Sequence, residues 1–132
     1  VTLGLRKYLT AEGERRVAVA RGGRESRTRF ALVEPLGDAS LLSADIETGR
    51  THQIRVQLAH LGFPIIGDDK YGDFELNRRM AREGLKRMFL HASALVFDHP
   101  LTGAPLRLEA PLPDDLARFL AHLRKASHAP AV

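Results

Sequence analysis

The sequence contains no cysteine, which removes both a disulfide framework and any thiolate metal site. Long apolar runs are missing as well. Stretches such as Ser93 to Phe97 fall far short of the roughly 20 residues needed to cross a bilayer. The chain begins at Val1, and the basic, then apolar, then small-residue pattern of a signal peptide does not follow. A cytoplasmic protein, or a piece of one, is therefore expected, with no membrane partner. No serine sits in a G-x-S-x-G elbow and no glycine-rich phosphate loop is present, so hydrolase and nucleotide-binding readings have no motif behind them. Asp68 and Asp69 lack further carboxylates at calcium-loop spacing. His52, His60, His91 and His99 lack the i, i+4 pairing of a helical zinc site. No metal is expected, and no internal repeat or low-complexity segment is found.

What is present fits one globular unit. At 132 residues with 44% apolar side chains, the chain is long enough to bury a core within a single domain. Twenty Lys and Arg against sixteen Asp and Glu leave a formal charge of +4, compatible with phosphate binding but shared by many proteins that touch no nucleic acid. Distribution says more than the total. Arginines gather in Arg15, Arg16, Arg21, Arg24, Arg27 and Arg29, and again with Lys86 and Arg87 around Arg78, Arg79 and Arg82. Each cluster reads as a basic surface or, more plainly, as a solvated face.

Period-two patterning dominates the first third. Residues 15–20 and 27–34 alternate around a glycine turn, which predicts a hairpin with Thr28, Phe30 and Leu32 on one face. Pro35, Gly37 and Asp38 mark a second turn, after which Leu42, Ala44 and Ile46 share one side of a strand. Past Gly49 the period changes to that of a helix: Ile54, Leu58 and Leu61 form its stripe, Thr51 is the candidate N-cap, and Gly62 with Pro64 ends it. A polar helix is expected from Phe74 to Glu83, closed by Gly84. Met88, Leu90, Ala92, Ala94 and Val96 share one face of a strand that turns back as a second hairpin. Pro113, Asp114 and Asp115 open a last helix with the stripe Leu116, Phe119, Leu120 and Leu123. Residues 127–132 read as a tail behind a unit covering 1–126. The expected class is α+β, with a mainly antiparallel or mixed sheet and a few short helices.

The informative stretch runs from Glu47 to Asp73, ETGRTHQIRVQLAHLGFPIIGDDKYGD. On its helix Arg55 lies about 100° round the axis from Ile54, at the border of the apolar stripe. A half-buried guanidinium cannot shed its charge, so a carboxylate or phosphate should meet it as a bidentate pair. His52 lies one turn earlier on the same side, and Arg50 enters from the loop. The plainer alternative is an ordinary amphipathic helix carrying a salt-bridged arginine.

The series TGRTHQIR, then G-x-P-I-x-G-D-x-x-Y-G, resembles the pattern of the RluA/RluC-type large-subunit ribosomal RNA pseudouridine synthases. The segments GERRVAV, ESRTRFALVE, FLHASALVFDHPLTG and RLEAPLPDDL resemble that family in the same order, nearly to the end of the chain. The resemblance implies the C-terminal portion of a pseudouridine synthase catalytic domain, acting on 23S ribosomal RNA. It implies a cofactor-free isomerisation in which a flipped uridine loses its glycosidic bond and the uracil is rejoined through its carbon 5. Unstacking the base costs a few kcal/mol, which backbone contacts must offset.

In that family the arginine of the Gln-Ile-Arg element pairs with the catalytic aspartate, which assigns that role to Arg55. The aspartate itself lies in a His-Arg-Leu-Asp element that this chain does not contain, and Asp38, Asp45, Asp68, Asp69 and Asp73 are not in its setting. The fragment alone is then expected to be inactive, to expose apolar surface where the rest of the domain packs, and to be monomeric when full length. Leu90 and His91 match a family position lining the site; for His91 the alternative is a satisfied sheet histidine. With Arg50 and His52 they form the substrate-binding set. Tyr71, between Gly67 and Gly72, reads as a structural turn residue.

Two other readings are weighed beside this one. A non-catalytic RNA-binding module would keep the basic surfaces and the Arg55 helix. A helix-turn-helix DNA binder ranks last, because Pro64, Gly67 and the Asp68–Asp69 pair leave no room for a recognition helix and would repel phosphates.

Overall fold

In the computed structural model residues 1–127 are described. The class is α+β, with antiparallel sheets and three short helices among the described residues. Strands β1 (Thr2–Leu9), β2 (Arg15–Val19), β3 (Arg24–Leu36) and β4 (Ala39–Ile46) form one sheet in the order β2-β1-β3-β4. The expected hairpin between residues 15–20 and 27–34 is not formed. β1, which the sequence patterning did not single out, lies between its two strands, pairing Leu5 with Val19 and Leu5 with Arg24. The alternation was real, but alternation reports which residues share a face and not which strand lies next door.

The β3–β4 hairpin forms through the expected turn, with Leu36 opposite Ala39, Gly37 at φ 71° and a bulge near Val33. Its shared face is as expected, with Thr28, Phe30 and Leu32 opposite Ile46, Ala44 and Leu42, though most of that face is uncovered. Thr28 is buried, Phe30 partly so, and Leu32, Leu42, Ala44 and Ile46 are exposed.

Helix α1 (Gln53–His60) starts one residue later than its candidate N-cap implies. Its N-cap is His52, in the left-handed conformation and without a side-chain cap bond, rather than Thr51. The predicted stripe also turns out otherwise. Leu58 is buried, but Ile54 is intermediate and Leu61 is 43% exposed; the buried face is Gln53, Val56 and Gln57. The reason lies in β3, which offers α1 the buried hydroxyls of Ser26 and Thr28 and two backbone carbonyls rather than apolar side chains. Gln53 Nε2 donates to Arg27 O and Thr28 Oγ1, and Gln57 Nε2 donates to Ser26 O and Oγ.

α2 (Phe74–Arg82) matches its prediction to within a residue, because its punctuation is local: the Asp73 carboxylate accepts from Leu76 N–H, and Gly84 follows at φ 111°. The long strand expected from Met88 shrinks to β5 (Ala94–Asp98), paired with β6 (Pro105–Glu109) as the expected second hairpin. α3 (Asp114–Ser127) buries Leu116, Phe119 and Leu120, with Leu123 partly covered, as its stripe requires. The expected tail, residues 127–132, lies outside the described residues apart from Ser127, which ends α3. Met80, Leu85, Leu116 and Phe119 make one core cluster between α2 and α3; Leu5, Val17 and Val56 make a second between sheet and α1.

Candidate active site

The site is built where the second cluster meets the loop that follows α1. Val56 seats α1 on Leu5 and Val17, and Tyr71 closes over them from the loop. With that face of the helix buried, Arg55 and His52 are both half-buried at its border. The border position read from the spacing is where the structure puts Arg55.

Its expected bidentate partner is present, and it is Asp68. Arg55 Nε donates to Asp68 Oδ2 at 2.9 Å and Nη2 to Oδ1 at 2.8 Å. Asp69 Oδ1 is a looser neighbour at 3.7 Å. The Asp68 carboxylate is fully buried, and it also accepts from the backbone N–H groups of Lys70 and Tyr71. Burial alone would raise its pKa; the hydrogen bonds from Arg55 and from the two amides outweigh burial and hold it below the usual carboxylate range. Hydrogen bonding to Asp68 in turn holds the Arg55 proton more tightly than usual. A guanidinium has five N–H donors. Asp68 takes the Nε/Nη2 edge, and Nη1 has no hydrogen bond among the described residues, so an edge remains for a second anion.

The loop that carries Asp68 is clamped on both sides. Asn77 of α2 accepts from Gly67 N–H and donates to Asp68 O. On the other side Lys70 Nζ pairs with Glu14, and Arg16 bonds both Glu14 and Lys70 O. Two glycines are obligatory here. Gly67 stands at φ 86° with a Cβ direction blocked by Arg87 O, and a Cβ on Gly72 would collide with Asp68 O.

Tyr71 touches both Arg55 and His52. The Arg55 Cζ lies 5.2 Å from the ring centroid, within cation–π range. The Tyr71 hydroxyl meets His52 Nδ1 at 2.8 Å and accepts from Val17 N–H at 2.8 Å. β2 is an edge strand, so that N–H is free to leave the sheet. Burial lowers the His52 pKa, with Arg55 and Lys70 adding to the effect and Asp68 opposing it. His52 is the one non-glycine residue among the described residues with positive φ, at 53°. Such a conformation persists only where its surroundings hold it, and it concentrates at functional sites.

The other predicted residues are placed less centrally. Arg50 Nε donates to Glu25 O, and its N–H to Gln53 Oε1, so it pins the loop entering α1. His91 Nε2 contacts Ala110 O at 3.0 Å, and Leu90 is half-buried in the segment before β5. Arg78, Arg79 and Arg82 lie exposed on α2, with no ion pair among the described residues. Among the described residues no group of three or more His, Cys, Asp or Glu is placed to hold a metal ion, and no helix is long and apolar enough to cross a membrane.

Asp68 and Tyr71 are the two residues that sequence reasoning left out of the site. The signal for both was the fixed G-D-x-x-Y-G spacing behind a helix. It set Asp68 and Tyr71 on the same face of one tight loop, aimed back at the preceding helix.

The RNA pseudouridylate synthase family matches residues 5–60, which include the second part of β1, all of β2 to β4 and all of α1. Ribosomal large subunit pseudouridine synthase C of Yersinia pestis is 48% identical over 121 residues, covering 92% of this chain and 38% of the relative. The protein of the same name from Escherichia coli K12 is 48% identical over 124 residues, covering 92% and 39%. That of Pasteurella multocida is 46% identical over 121 residues, covering 92% and 37%. The chain thus spans less than two fifths of the length of these curated relatives, and by sequence it belongs to the RNA pseudouridylate synthase family.

Proposed function

We propose that this chain is the C-terminal portion of the catalytic domain of a pseudouridine synthase that isomerises specific uridines in large-subunit (23S) ribosomal RNA. The observation that carries the reading is the geometry of Arg55. Asp68 holds the guanidinium by its Nε/Nη2 edge and leaves Nη1 for a second carboxylate. The family resemblance supplies that carboxylate as the catalytic aspartate, from a His-Arg-Leu-Asp element that precedes this segment in a synthase. A guanidinium so fixed keeps an aspartate ionised and oriented at neutral pH.

Around that pair, His52, Arg50, Leu90 and His91 line the place of the flipped nucleotide. Arg78, Arg79 and Arg82 meet phosphates, offsetting the few kcal/mol of unstacking. The reaction is a rearrangement within one nucleotide, and the reading includes no cofactor or metal. The complete enzyme is a cytoplasmic monomer on this reading.

The test uses the complete synthase on large-subunit ribosomal RNA. Arg55→Ala is expected to abolish pseudouridine formation while RNA affinity stays within a few-fold; retained turnover removes Arg55 from the catalytic site. Charge reversal at Arg78, Arg79 and Arg82 is expected to weaken binding and flatten its salt dependence by about one unit of slope per lost phosphate contact. An unchanged slope makes that cluster a solvated face.

A further inference from the structure

The hydrogen bonds around Tyr71 determine more than its position. The Val17 N–H can only donate, so it occupies a lone pair of the Tyr71 hydroxyl. The one phenolic proton is then left for the hydroxyl's other neighbour, His52 Nδ1, at 2.8 Å. No third partner of this hydroxyl is found among the described residues. A proton on Nδ1 would therefore leave two hydrogens competing for one contact, or turn the phenolic proton away with nothing to receive it. The favoured arrangement has Nδ1 bare and accepting, which places the imidazole proton on Nε2.

We propose that Tyr71 is a positioning residue that fixes His52 as the neutral Nε2–H tautomer, so that His52 presents a hydrogen-bond donor to an uncharged oxygen of the bound nucleotide. This rests on the function proposed above.

Three further observations support it. The two rings meet edge to face, with centroids 5.4 Å apart and planes at 68°, which holds the imidazole in one orientation. The left-handed backbone at His52 brings the ring to that contact, ahead of the first turn of α1. The charged groups facing it are Arg55 on α1 and Lys70 and Asp68 on the loop. Both cations discourage a second proton, and the Asp68 carboxylate is already engaged by four N–H groups.

Nε2 of His52 has no hydrogen-bond partner among the described residues and is not one of the buried atoms left unsatisfied there, which are Arg16 Nε and Gln57 Oε1. It faces accessible space. A neutral N–H suits a base carbonyl or ribose hydroxyl, whereas a phosphate would be met by the arginines.

Nitrogen-15 spectroscopy of the histidine-labelled full chain tests the tautomer directly. The expected result is an unprotonated Nδ1 and a protonated Nε2 for His52, persisting below the pH at which histidine ordinarily titrates. Tyr71→Phe should convert this to a tautomer mixture. A protonated Nδ1 in the unaltered chain overturns the proposal, whether or not the Phe variant folds.

In the complete synthase, His52→Ala is expected to lower turnover about tenfold, the size of one lost hydrogen bond, without changing the salt slope of RNA binding. A slope reduced by about one unit would make His52 a phosphate contact and sink the neutral-donor role. If His52 still matters on RNA bearing a 2′-deoxy target nucleotide, the acceptor is not that 2′ hydroxyl, which leaves the base carbonyl or another ribose oxygen. Should the unaltered synthase make no pseudouridine at all, the functional reading fails while the spectroscopic result still stands or falls by itself.

Discussion

The unit formed by α1 and the loop behind it, and the hairpin of β5 and β6, are both short, turn-bounded pieces of chain, yet they are held in opposite ways. In the first, Gln53, Gln57 and Asp68 are buried and each makes at least two hydrogen bonds to other segments. In the second, every strand residue except Leu106 is exposed, including Leu95, Val96, Phe97 and Leu108. A two-stranded ribbon is marginal by itself in water, and ion pairs such as Arg107–Glu109 are exposed and add little. The candidate site side chains are pre-set by polar contacts within this chain, while the hairpin leaves its apolar faces uncovered.

Removing the centre of the polar network should produce the largest effect. Asp68→Ala leaves the Arg55 guanidinium, only 13% exposed, without its carboxylate, and frees two loop amides at the same time. Breaking a buried pair from one side costs about 3–5 kcal/mol, to be read as a shift in the midpoint of chemical denaturation. A loss below about 1 kcal/mol would show that Arg55 escapes to solvent. The contrast with the hairpin would then disappear.

The pH dependence sharpens the same contrast. The folded-state pKa of His52 is lowered, so its contribution is fully present above about 6.5, the ordinary value. It is lost progressively as pH falls from there toward the folded value, because the unfolded chain takes up the proton first. Asp68 follows the same sign in a lower window, below about 3.9. Stability should decline on acidification from pH 7 to 5, and His52→Asn should flatten that decline. Asn is chosen because it tolerates the left-handed backbone. Parallel curves for the two proteins would mean that His52 carries no coupling to folding.

How much of this was legible beforehand depended on how local the signal was. Asp73 and Gly84 frame α2 by contacts within a few residues, and the Leu116, Phe119, Leu120 stripe needs only the helical period, so both were readable. Arg55 at the border of α1 followed from spacing alone. β1 was not readable, since its place between β2 and β3 is decided by long-range pairing, with Thr2 opposite Arg27. Nor was the polar face of α1: Gln53 and Gln57 look like solvent residues until Ser26 and Thr28 stand opposite them. The Arg55–Asp68 pair joins residues 13 apart in sequence, and only the folded loop brings them together.

The smallest effect is expected in the hairpin, and its smallness is the point. Val96→Thr and Leu108→Thr replace side chains that are 62% and 56% exposed, and exposed positions away from networks usually change stability by no more than about 0.5 kcal/mol. Thr keeps the β-branched shape of Val96 and retains good strand propensity at both positions, so the ladder itself is not weakened. In the isolated chain, amide exchange should run near the open limit along β5 and β6 and slow down along β3 and β4, because exchange follows local packing. The same two substitutions in the complete synthase discriminate further. If the remainder of the domain packs on these faces, each should then cost what a buried methyl group costs, about 1 kcal/mol, rather than almost nothing. Equal, small costs in both settings would leave the hairpin exposed in the enzyme as well, and its apolar faces would need a different partner.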